Sequence, residues 1–229
     1  MSLLLLPNEI IDHIISLTDE YRFIEPFNKY LRKKTILKLS ENIDSETIIQ
    51  EDNLQLLQIL YNSGFKFDDK PMKLASVYGY LDIVKFFHSI GCKSTSFAID
   101  WACFNGHLDV VEYLHSIGYK PTSDAMEFAS RNGHLEIVKF LHKIDVKYKK
   151  KYHENILNSA TKKGHLEVVK FLYPISDYPS TNIMDSAILN YHLEIVKFLY
   201  SNGAKYTNFA LRKHISKNTD SEIVKFLNQ

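Results

Sequence analysis

Gly133-His134-Leu135-Glu136-Ile137-Val138-Lys139-Phe140-Leu141 decides the reading of this 229-residue chain, because it does not occur once. The same nine positions return as Gly79 to Phe87, Gly106 to Leu114, Gly164 to Leu172 and, with a tyrosine for the glycine, Tyr191 to Leu199. Weaker copies run from Asn53 to Leu60 and from Ser221 to Leu227. The leading leucines fall at 81, 108, 135, 166 and 193, spacings of 27, 27, 31 and 27 residues. A period of that size marks a solenoid. One unit cannot bury its apolar face alone, so neighbours complete each other's core.

The unit from Ser96 to Pro121 shows how a repeat is built. Ser96 is placed to cap a first short helix, in which Ala98, Ile99 and Ala102 share a side. Asn105-Gly106 breaks that helix, since glycine readily adopts the left-handed conformation that ends one. A second helix follows, with Leu108, Val111, Leu114 and Ile117 at intervals of three and Val110 and Tyr113 widening the stripe. Outside that stripe an acid precedes a base by three residues: Glu136 and Lys139, Glu167 and Lys170, Glu194 and Lys197. Such pairs contribute about 0.2–0.5 kcal/mol each. Four residues before the glycine position stands a constant alanine (Ala75, Ala102, Ala129, Ala160, Ala187). Its methyl group lets the paired helices approach closely, and a larger side chain would overpack the contact. The single long spacing falls across Lys143 to His153, a basic stretch, and predicts a lengthened loop.

Composition narrows the function. With 28 basic and 27 acidic residues, no net field points to nucleic acid or to a membrane surface. The two cysteines, Cys92 and Cys103, have neither zinc-site nor disulfide-framework spacing and read as reduced thiols of a cytoplasmic or nuclear protein. The apolar block Leu3 to Leu6 is too short for a signal sequence, and no run approaches membrane-spanning length. Histidines recur once per repeat, at His107, His134, His165 and His192, with a second row at His88, His115 and His142. Equivalent residues of stacked helices lie about 8–10 Å apart. Zinc needs every ligand nitrogen about 2 Å from the metal. These rows therefore read as packing and hydrogen-bonding residues at the helix start. No phosphate loop, nucleophile elbow or His-Glu-x-x-His pattern occurs, so neither a catalytic set, a metal nor a cofactor is expected.

The alanine followed by Gly-His-Leu-Glu-Val-Val-Lys resembles the ankyrin repeat over roughly residues 44–229. The resemblance implies an all-α solenoid of about seven units, the first and last degenerate, that binds another protein without catalysis. The units are shorter than the family's usual length of about 33 residues. The shortening falls between helices, as at Gly118 to Ser123, where the family projects a β-hairpin; the inter-repeat loops are expected to be short. Short repeats rich in Ile, Lys, Asn, Tyr and Phe also look like ankyrin-type proteins of giant DNA viruses of protists.

Residues 1–43 do not follow the period. Leu6, Pro7, Glu9, Ile10, Ile11 and Ile14, followed by Phe27-Asn28-Lys29, resemble an F-box, the segment that docks on the Skp-type adaptor of cullin–RING ubiquitin ligases. The resemblance implies that Leu6, Pro7, Ile10, Ile11 and Ile14 contact that adaptor. A second reading stands beside it. The segment would be a small helical cap over the first repeat, and the two roles are compatible.

Where the scaffold repeats strictly, the residues just before the glycine vary. They are Val77-Tyr78, Phe104-Asn105, Arg131-Asn132, Lys162-Lys163 and Leu189-Asn190. In ankyrin proteins the matching positions line the concave groove, which makes Tyr78, Phe104, Asn105, Arg131, Asn132, Lys162 and Lys163 the candidate target-binding residues. A row of loop lysines, Lys66, Lys93, Lys120, Lys147 and Lys205, reads as a solvated surface.

Overall fold

In a computed structural model of the protein, the described residues are 45–68, 70–144, 150–176, 181–217 and 221–228. The F-box-like residues Leu6, Pro7, Ile10, Ile11 and Ile14 lie outside them, as does the whole segment 1–43. The described residues are all-α, with no strand among them. They fall into two compact units, the first ending at Ala98 and the second beginning at Ile99.

The first unit holds α1 (Ser45–Gln50), α2 (Leu54–Asn62), α3 (Lys70–Tyr78) and α4 (Leu81–Ser89). Each repeat pairs its two helices, α1 with α2 and α3 with α4, and like helices stack, α1 on α3 and α2 on α4. Ile49, Leu57, Met72, Ala75, Ile83, Val84 and Phe87 are fully buried between them. Phe67 closes the loop over this core, its ring 5.2 Å from that of Phe87.

The second unit continues with α5 (Phe97–Asn105), whose first two residues precede the division, α6 (Leu108–Ser116), α7 (Ser123–Arg131) and α8 (Leu135–Lys143). Then follow α9 (Lys150–Lys163), α10 (Leu166–Leu172), a 3-10 turn (Tyr173–Ile175), α11 (Thr181–Leu189), α12 (Leu193–Ser201), α13 (Asn208–Lys217) and α14 (Glu222–Leu227). Two layers result. The first helices α7, α9, α11 and α13 stack in order, and so do the second helices α6, α8, α10, α12 and α14. Between the layers Val110, Val111 and Leu114 of α6 are buried, as are their equivalents in α8, α10 and α12, whereas Leu108, Tyr113 and Ile117 at the margins of the expected stripe are only half-buried. Ala102, Ala129, Ala160 and Ala187 have no exposed surface, as close helix pairing requires.

The end of α7 shows how a first helix is closed at a glycine. Asn132 caps α7, Gly133 turns left-handed at φ 82°, the Gly133 N–H donates to the Ser130 carbonyl, and the His134 N–H donates to the Ala129 carbonyl. That reversal satisfies two otherwise orphaned helix carbonyls. The acid–base pairs of the second helices form as spaced: Lys139 to Glu136, Lys170 to Glu167 and Lys197 to Glu194, each at 2.8 Å.

The insertion differs from expectation. It lengthens a helix: α9 has 14 residues where α7 has 9. Lys150 to Asn155 contains no glycine or proline and several good helix formers, so nothing stops the added residues from joining the helix.

Candidate partner-binding surface

The histidine at each repeat boundary fixes where the first helices end. His134 donates its Nε2–H to the Phe104 carbonyl, His165 to that of Arg131 and His192 to that of Lys162, each at 3.0 Å. A carbonyl oxygen only accepts, so the proton sits on Nε2 in all three. None of these rings caps its own helix. Each reaches back to the preceding repeat and lies over its glycine. A Cβ on Gly133 would stand 2.4 Å from His165 Nδ1, and one on Gly106 2.6 Å from His134 Cε1.

Two left-handed residues that are not glycine, Asp52 and Tyr191, occupy that same position. In each case no histidine follows in register. Tyr80 succeeds Asp52, and its longer side chain reaches the Gln50 carbonyl from Oη at 3.2 Å. For Tyr191 the position in register in the next unit is Thr219, outside the described residues, and the Tyr191 ring packs against His214, 4.6 Å away. The boundary histidines thus pack and hydrogen-bond as the sequence suggests, but across repeats. In the second row His115 and His142 also pack across repeats, His115 meeting the Phe140 ring edge-on and His142 that of Phe171, both at 5.6 Å.

With their backbone carbonyls held in this way, Phe104, Arg131 and Lys162 occupy equivalent places on successive first helices. Arg131, Lys162 and Lys163 are exposed and make no ion pair among the described residues. Asn105 and Asn132 carry a structural load as well. The Asn105 amide donates to the Trp101 carbonyl at 3.0 Å, and Asn132 donates to that of Phe104 at 2.9 Å, across the repeat boundary. Tyr78 lies in the first unit, partly exposed and stacked on Tyr80. Lys66, Lys93, Lys120 and Lys205 are all solvent-exposed, and Lys147 lies outside the described residues.

Two aromatics that the sequence reading passed over join Phe104. Trp101 packs 5.3 Å from it and Phe128 5.7 Å from it, both edge-on. Trp101, the only tryptophan, keeps 39% of its surface exposed. The signal was available, because Trp101 lies one residue before the constant Ala102 and so faces away from the helix pair.

Buried polar groups in the second unit serve the scaffold. Asp100 accepts from the Thr122 N–H at 2.9 Å and from its hydroxyl at 2.8 Å, and Asp185 holds Thr207 in the same two-pronged way. Burial raises the Asp100 pKa above its ordinary value, against the lowering effect of the two Thr122 hydrogen bonds. The Cys103 thiol, buried beside it, is also pushed up. His214, only 1% exposed where earlier units carry alanine, has Nε2 2.7 Å from Ser221 Oγ. That distance suits a nucleophile and its base, yet the hydroxyl is itself buried and accepts from the Ile223 N–H as a helix cap. Among the described residues no group of three or more His, Cys, Asp or Glu could hold a metal ion. No helix among them is long and apolar enough to cross a membrane.

Paired short helices stacked in two layers and joined by short loops define a helical repeat solenoid. The family model of ankyrin repeats (3 copies) matches residues 101–185 and 126–210, so the stretch 101–210 is built of ankyrin repeats. Such repeats are typically non-enzymatic modules that bind other proteins. No curated protein matches the chain.

Proposed function

We propose that this protein is a non-enzymatic adaptor whose repeats hold a target protein through the ends of the first helices. One observation carries the reading. The boundary histidine recurs from His107 to His192 and the alanine from Ala75 to Ala187, while the side chains at Phe104, Arg131 and Lys162 differ and those of Arg131 and Lys162 are exposed. Side chains released from packing are where a partner is read. In the finer reading, the N-terminal segment recruits a Skp-type adaptor of a cullin–RING ligase through Leu6, Pro7, Ile10, Ile11 and Ile14. Support for it is the sequence motif itself, Leu6-Pro7 followed by the β-branched Ile10, Ile11 and Ile14. The competing reading is a plain scaffold or decoy, its N-terminus a cap with no ligase link.

Affinity purification of the tagged full chain, beside its Leu6→Ala/Pro7→Ala variant, separates the two. Under the ligase reading the intact chain recovers Skp-type and cullin subunits, and the variant loses them while its thermal midpoint stays unchanged. Failure of purified adaptor to bind the intact chain at high concentration would leave the scaffold and remove the ligase.

A further inference from the structure

We infer that the surface at the ends of α5, α7 and α9 takes an acidic peptide segment with an aromatic or aliphatic anchor three to six residues (~10–20 Å) from its carboxylates. The anchor sits on Trp101, Phe104 and Phe128, and the carboxylates on Arg131, Lys162 and Lys163. This rests on the reading above that the first-helix ends are the binding face.

On the second helices of the second unit Lys139, Lys170, Lys197 and Lys225 each hold a glutamate three residues earlier at 2.8–2.9 Å, which leaves Lys143 at the end of α8. At the first-helix ends Arg131, Lys162 and Lys163 hold none among the described residues, although Glu127 stands one turn before Arg131. The buried acid of α5 is committed to Thr122. The cations therefore present positive charge that no ion pair among the described residues neutralises, and a carboxylate from outside is its complement. Beside them the edge-on cluster around Phe104 leaves Trp101 partly in water. Tryptophan next to arginine is the composition of an interface anchor.

Spacing follows from the stack. Neighbouring helices lie about 8–10 Å apart, so the step from the aromatics shared by α5 and α7 to Lys162 on α9 is roughly 10–20 Å. An extended peptide covers about 3.3 Å per residue, which places the acids three to six positions beyond the anchor.

Because Trp101 is the only tryptophan, its emission reports directly on this surface. The full chain would be titrated with a peptide carrying one phenylalanine followed by glutamates at that spacing, with its lysine counterpart, and with oligothymidylate. The acidic peptide should shift Trp101 emission with a dissociation constant on the order of 10 μM. Lys162→Glu/Lys163→Glu, checked for folding by circular dichroism, should weaken it roughly tenfold or more. If the lysine peptide binds better, and Trp101→Ala abolishes that binding by anisotropy of a labelled peptide, the partner chemistry is wrong while the surface stands. If the acidic peptide binds with neither substitution mattering, both readings fall. Tighter binding of oligothymidylate, or no peptide binding up to about 1 mM, also overturns the proposal.

Discussion

Gly133→Ala tests the arrangement on which the whole array depends. Two costs are expected. The left-handed backbone at φ 82° disfavours any Cβ by about 1–2 kcal/mol. The new methyl would also stand 2.4 Å from His165 Nδ1 and 2.7 Å from Cε1, so the ring must swing away. Moving it forfeits the bond to the Arg131 carbonyl and its packing, about 1–2 kcal/mol more. The sum is about 2–4 kcal/mol. Gly118→Ala is the control, because Gly118 is also left-handed, at φ 98°, yet nothing lies within 4 Å of its Cβ position. Only the backbone cost of about 1–2 kcal/mol applies there. Urea unfolding of the full chain, followed by circular dichroism, measures both. Adding His165→Ala to Gly133→Ala should cost less than the two separate losses together, since the ring in the way is gone. Equal costs at Gly118 and Gly133, or strict additivity with His165→Ala, would refute the account of the glycine–histidine contact.

Two further outcomes follow from packing and charge. Ala129→Leu should lose about 1–3 kcal/mol by overpacking a residue with no exposed surface. Lys139→Ala breaks only an exposed ion pair and should lose no more than about 0.5 kcal/mol in the same titration. Asp100 binds its proton more readily in the folded chain than in the unfolded one, so its burial costs stability once the unfolded group ionises. Stability should therefore fall as pH rises through the interval just above the ordinary value of 3.8, and Asp100→Asn should flatten that part of the profile. An unchanged slope would show that the two Thr122 hydrogen bonds offset the burial.

The period, the break glycine and the buried alanine were legible because each is a local requirement repeated many times. What the boundary histidines touch was not. The row was visible, but a ring that bonds a carbonyl about 30 residues away leaves no mark within its own unit. The insertion misled because a longer spacing does not say which element absorbs it; the glycine-free run Lys150 to Asn155 contained the answer. On the candidate surface, variation pointed to Phe104, Arg131 and Lys162. Trp101 and Phe128 were missed because an aromatic on a helix reads first as core. The amide bonds of Asn105 and Asn132 needed coordinates.

The contact of Gly106, Gly133 and Gly164 with the next unit's histidine also bears on how such a gene can be rearranged. What must be kept together is a pair that straddles a junction, glycine upstream and histidine downstream. Any unit carrying both can be duplicated or deleted whole by unequal crossing-over, because every new junction again joins a glycine to a histidine. The unit with Tyr191 breaks that symmetry. Its Cβ would occupy the space that a following histidine takes at Gly164, where His192 Cε1 stands 2.7 Å from the Cβ position. It can therefore be followed only by a unit without that histidine, such as the one with Asn218-Thr219-Asp220. Copy number is free to drift among the units that keep both residues, whereas the junction after Tyr191 accepts only a unit without the histidine.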